Sequence, residues 1–224
     1  MNFARLAVFA AFALRSAASL SGAQIYEPMA ASVRSGLQAA IADKPAPRHG
    51  FSISIQAVNW LTEMSRRLET RIPHFQTRLE FLRTVHYEAT RAGLDPQLVL
   101  ALIQVESNFR KYAVSSAGAQ GYMQVMPFWV SVIGRREDSL FRLRTNLRYG
   151  CAILRHYLDI EKGNLQRALG RYNGSLGKPE YPNLVFAAWR RAWQFESGTA
   201  LRLPSVAPIE RLSGGPGQAL VSGS

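Results

Sequence analysis

Apolar residues recur along the middle of this chain at helical rather than strand spacing. Ile55, Val58, Leu61 and Leu68 fall near one helical face. Leu79, Leu82, Val85 and Ala89 make a second stripe. Asp95-Pro96 reads as a helix start, with the aspartate as cap and the proline in the first helical position. Leu98, Leu102 and Val105 share a face behind it, and Leu147, Cys151, Leu154 and Leu158 form a fourth stripe. Asn164 can cap a short helix through Leu165 and Leu169, and Ala187 to Phe195 closes the periodic region. No run of period-two alternation leads into hairpin turn residues, so the pattern predicts an all-α fold.

The flanks break this periodicity. Arg5 is followed by an apolar run from Leu6 to Leu14, then by small residues up to Ala23. That order predicts an export leader, 1–23, cut before Gln24, and the run is too short for a membrane span. Lys44 to Gly50 holds two prolines and a glycine and reads as a linker within an N-terminal extension, 24–75. Ser197 to Ser224 is rich in Ser, Gly and Pro, and its composition predicts a disordered tail. The catalytic lobe is expected at 76–196.

The 224 residues are enough for one sizeable core. Cys151 is the only cysteine, which excludes an intramolecular disulfide and a multi-cysteine metal site. It also excludes lipid attachment at the expected leader cut. The four histidines, His49, His74, His86 and His156, are scattered without ligand spacing, so no metal and no cofactor is expected. Lys and Arg number 27 against 15 Asp and Glu, a formal charge of +12. Such a charge fits nucleic acid, a membrane surface or an acidic polymer. The arginine pairs 66–67, 135–136 and 190–191 are spread along the chain, which argues against a nucleic-acid-binding module.

The stretch that carries chemistry runs from Ala101 to Pro127. An apolar helix face reaches Val105 and meets a carboxylate, Glu106. A polar, small-residue segment follows, with Ser115, Ser116, Gly118 and Gly121, before Met123, Val125 and Met126. A carboxylate at the end of an apolar helix can line a cleft, and apolar surroundings raise its pKa towards that of a general acid. From residue type alone, a solvated helix-end glutamate is the commoner case.

Glu106-Ser107-x-Phe109, followed by Ser115-x-x-Gly118-Ala119-x-Gly121-x-Met123-Gln124-x-Met126-Pro127, resembles the signature of the soluble lytic transglycosylases, the SLT domain family. These lysozyme-like enzymes cut bacterial peptidoglycan. A second block, Tyr172-Asn173-Gly174-Ser175, and a Tyr181-Pro182 step ahead of a helix follow in the family's order. Tyr122 stands where Leu is commoner, and Gly170-Arg171 replaces a small apolar pair. A glutamate that many relatives carry before the second tyrosine has only Glu180 to match it here.

The resemblance implies a lysozyme-like single catalytic domain. It implies Glu106 as general acid and then base, with Tyr172 bringing its hydroxyl near the carboxyl. It implies Ser107 beside the acid, Gly121 and Met123 at the groove, and Gln124 and Asn173 on the glycan or its peptide. Phe109 and Trp129 read as core rather than sugar platforms. Most glycosidases use two carboxylates. The block holds one, and Asp95 lies about 16 Å away along a regular helix. Glu137, Asp138, Asp159 and Glu161 read as solvated. The implied partners are peptidoglycan strands and a cell-envelope secretion or conjugation machine, in an exported, periplasmic setting. A lysozyme-type hydrolase and an inactive peptidoglycan-binding scaffold stay open.

Overall fold

The computed structural model describes residues 23–42 and 55–196. The expected leader up to residue 22, the linker at 44–50 and the tail from 197 lie outside the described residues.

Among the described residues eight α-helices follow in order: α1 (Ala31–Ile41), α2 (Ile55–Leu68), α3 (Phe75–Arg91), α4 (Pro96–Ser107), α5 (Phe128–Ile133), α6 (Leu143–Ile160), α7 (Leu165–Asn173) and α8 (Glu180–Ala188). A π-helical turn, Trp189–Trp193, continues α8. Among the described residues the only strand-like pairing is two isolated bridges, Val114 with Gln120 and Gln120 with Val125. The fold is all-α, as the apolar periodicity predicts.

α4 is the central helix. Its run Leu98–Ile103 is fully enclosed, as a helix apolar on every side must be. It packs on α3, on α8 and on the π-helical turn, while α6 packs on α1, α3 and α7. Asp95 caps α4 by accepting from the Gln97 amide at 2.7 Å, with Pro96 in the first turn. Asn164 caps α7 through the Arg167 amide.

Two expectations need correction. Ile55 and Val58 are exposed, and α2 buries Trp60, Leu61, Met64 and Leu68 instead. α8 begins at Glu180, so Tyr181 and Pro182 belong to its first turn rather than preceding it. A proline there costs little, because first-turn amides have no partner inside the helix. The closing segment from Ala187 forms the end of α8 and the π-helical turn.

The N-terminal extension contributes α1, held by its C-terminal carbonyls. The Arg91 guanidinium donates to the carbonyls of Ala40 and Ala42, and that of Arg148 to Ile41. Both arginines pair with Glu88, which is 1% exposed, and Arg144 approaches the same carboxylate.

Candidate active site

α4 delivers Glu106 to its own C-terminal end, beside a cleft of about 640 Å³. One wall is the segment from Asn108 to Ser116, with Gln124. The other is Tyr181, Leu184 and the end of α8 with the π-helical turn. Glu106 is the one carboxylate among the described residues lining this cleft, while Arg110 and Arg191 bring positive charge to it.

The chain leaves α4 under strain. Asn108 and Phe109 both take the left-handed conformation, at φ 47° and 63°. Asparagine tolerates it, but a bulky aromatic pays about 1 kcal/mol. Phe109 is held there by ring contacts with Phe81 and Trp193, and by the Arg71 guanidinium over its face. It is a core residue, and so is Trp129.

Burial pushes the Glu106 carboxyl up from 4.5 to about 8, against the opposing effect of a hydrogen bond from the Tyr181 hydroxyl to Oε1. The group is therefore mostly protonated at neutral pH. The tyrosine hydroxyl on Glu106 is thus that of Tyr181. Tyr172 is fully buried nearby, and its hydroxyl donates to the Met123 carbonyl at 2.7 Å. Desolvation and the Glu106 carboxylate hold both phenols above their ordinary range.

The remaining candidate residues chiefly build the loop, and of them Ser107 and Gln124 also line the cleft. Ser107 is 1% exposed and donates to the carbonyls of Tyr122 and Ile103. Gly121 sits at φ 76°, where a Cβ would lie 2.4 Å from Asn146 Nδ2 and 2.5 Å from the Leu140 carbonyl oxygen. Met123 is fully buried against Gly150. Gln124 lines the cleft, but its Nε2 is spent on the carbonyls of Ala113 and Gly121. Asn173 donates to Ser175 at the end of α7. Glu180 is exposed and does not line the cleft. Asp138 and Glu161 are not simply solvated: Asp138 accepts from Tyr149, and Glu161 is enclosed by Arg167 and Arg171.

One organising residue has no place in the sequence reading. Asn146 on α6 is fully buried. Its Oδ1 accepts from the Met123 amide at 2.8 Å, and its Nδ2 donates to the carbonyls of Gln120 and Leu140 at 2.9 Å each. The signal was an asparagine one helical turn before Gly150, flanked by the apolar stripe of α6.

An all-α lysozyme-like lobe that presents one desolvated glutamate at the end of its central helix defines a recognisable class. Residues 83–181 match the family described as the Transglycosylase SLT domain. It is 30% identical over 103 residues to a transglycosylase of Enterobacteria phage PRD1, covering 46% of this chain and 38% of the relative. It is 46% identical over 55 residues to membrane-bound lytic murein transglycosylase C of Actinobacillus pleuropneumoniae serotype 5b, covering 24% and 15%. The protein of that same name from Yersinia pestis (strain Pestoides F) is 32% identical over 114 residues, covering 44% and 32%. The chain thus spans well under half the length of these relatives. No helix among the described residues is long and apolar enough to cross a membrane.

Proposed function

We propose that this protein is a peptidoglycan lytic transglycosylase acting in the bacterial cell envelope, with Glu106 as acid and then base. The observation that carries the reading is Glu106 itself. It is desolvated enough to stay protonated near pH 7 and is the one carboxylate on the described cleft walls.

In the first step the Glu106 carboxylic acid gives its proton to the glycosidic oxygen between N-acetylmuramic acid and N-acetylglucosamine. The C1–O bond breaks, and the 2-acetamido group of the substrate stabilises the sugar cation. Among the described residues the cleft wall offers no second carboxylate for that task, which favours substrate assistance. In the second step the Glu106 carboxylate takes the proton of the muramoyl C6 hydroxyl as its oxygen attacks C1. A 1,6-anhydro ring closes, Glu106 is protonated again, and no water is consumed. The Tyr181 hydroxyl stabilises the transient carboxylate, while desolvation keeps that carboxylate basic.

Gln124 is assigned to the glycan through Oε1, because its Nε2 is engaged in the loop. Tyr172 and Ser107 fix the loop beside the acid. Positive charge at Arg110 and Arg191 suits a substrate whose stem peptides end in carboxylates. A secretion or conjugation machine would be the client of such local wall opening. The test is digestion of purified peptidoglycan with product masses read by mass spectrometry. 1,6-Anhydromuropeptides support the proposal, reducing muramic ends indicate a hydrolase, and intact glycan indicates a binding protein.

A further inference from the structure

The segment that precedes α1 crosses the catalytic lobe rather than leaving it. Gln24 is 5% exposed, unusual for a glutamine near a chain end. Its side-chain Nε2 donates to the Gln124 carbonyl at 3.1 Å, and its Oε1 accepts from the Met126 amide at 2.9 Å. These two main-chain groups flank Val125, which pairs on its other side with Gln120 through two backbone bonds of 2.9 and 3.0 Å. A side-chain amide carries the same donor and acceptor as a peptide group. Gln24 thereby completes the hydrogen bonding of this short extended piece as a neighbouring strand would.

The rest of the segment holds Gln24 in register. The Tyr26 ring meets Phe128 edge-on at 5.7 Å, just beyond the loop. Glu27 pairs with Arg171, the residue before Tyr172 on α7. The contacts of residues 24–27 therefore fall on Gln124 and Met126, on Phe128 just beyond them, and on Arg171 of α7. Residues 24–27 themselves lie outside the 83–181 stretch that matches the family.

We propose that Gln24 is a positioning residue for substrate binding: its amide locks the main chain of Gln124 and Met126, and so the cleft wall that Gln124 forms. The assignment rests on the glycan-cleaving reading above. Without Gln24 the Gln124 carbonyl and the Met126 amide lose their partner, and the wall samples other conformations before substrate binds.

The experiment uses the full chain with Gln24→Ala and Gln24→Glu, each also combined with Glu106→Gln. Turnover is read on soluble glycan strands, and binding on a chito-oligosaccharide by calorimetry in the Glu106→Gln background. For Gln24→Ala the expected result is a loss of about 10-fold in kcat/KM and in affinity, of the size that loop misplacement causes. Faster hydrogen exchange at the Met126 amide should accompany it. For Gln24→Glu, a protonated carboxyl restores both the donor and the acceptor, whereas a carboxylate keeps only the acceptor. Burial of the site raises the introduced carboxyl above its ordinary value of about 4.3, so kcat/KM relative to wild type rises as pH falls from about 8 to about 5. A flat ratio, or wild-type affinity and kcat/KM in Gln24→Ala, overturns the assignment. An inactive wild type contradicts the catalytic reading instead, and the binding comparison still decides the role of Gln24.

Discussion

The Tyr181 hydroxyl donates a hydrogen bond to Oε1 of Glu106, joining the first turn of α8 to the last turn of α4 across the head of the cleft. This contact is the one specific influence that lowers a carboxyl pKa which burial raises. Its removal therefore has a defined sign.

Tyr181→Phe should move the Glu106 pKa further up. Glu106 acts as acid only while protonated, so activity is lost as pH rises through its pKa. The alkaline limb of the pH–kcat/KM profile should shift to higher pH. The rate at the optimum should fall roughly 10- to 100-fold, because the carboxylate formed in the first step loses its donor. A pH–rate series on soluble glycan checks both. An unmoved alkaline limb would show that the hydroxyl does not tune the acid.

Glu106→Gln should change stability as well as rate. Between pH 4.5 and about 8 the folded state holds a proton on Glu106 that the unfolded chain has released. Wild-type stability therefore declines as pH rises through that window and levels off above it. Glutamine removes the slope. The variant should match wild type near pH 4 and exceed it by about 2–4 kcal/mol above pH 8, after allowance for solvent at the open side of the cleft. Urea melts at the two pH values measure this, and equal stability at both would remove the desolvated acid from the account.

Asn146→Ala should cost about 3 kcal/mol, because the Met123 amide and the Leu140 carbonyl lose their partner together and the Gln120 carbonyl keeps only the Val125 amide. The same loop carries Gln124, so glycan affinity should fall as well. Denaturant midpoints and oligosaccharide titration separate the two effects.

Much of this arrangement is legible in the sequence, for identifiable reasons. Stripes such as Leu82, Val85 and Ala89 mark helix faces because a buried face repeats at the helical period. Asp95-Pro96 marks the start of α4 because capping is local chemistry. Ile55 and Val58 mislead because an apolar residue in a stripe is buried only where a partner helix covers it. The loop block around Gly121 is recognisable by its spacing, but the roles inside it are not. Ser107, Met123 and Gln124 direct polar groups or bulk into the loop, a choice made by tertiary packing. Tyr181 and Gln24 act on partners 75 and 100 residues away, beyond the reach of local pattern.

Glu88→Gln tests how the extension is held. Arg91 and Arg148 both cap α1 and both depend on this carboxylate, which is almost fully enclosed. Removing one charge of a buried network costs about 3–5 kcal/mol. The loss should appear first as faster hydrogen exchange in α1, with the cleft end of α4 still protected. Uniform loss of protection would mean that α1 and the catalytic lobe unfold as one unit.

The central claim is that Glu106 cuts glycan without water entering the product. Digestion of peptidoglycan in oxygen-18 water tests this most directly. Wild type should release 1,6-anhydromuramoyl ends with no label at the muramic acid C1 position, and Glu106→Gln should release none. Incorporation of one labelled oxygen at each new muramic end would contradict the account and make the protein a hydrolase.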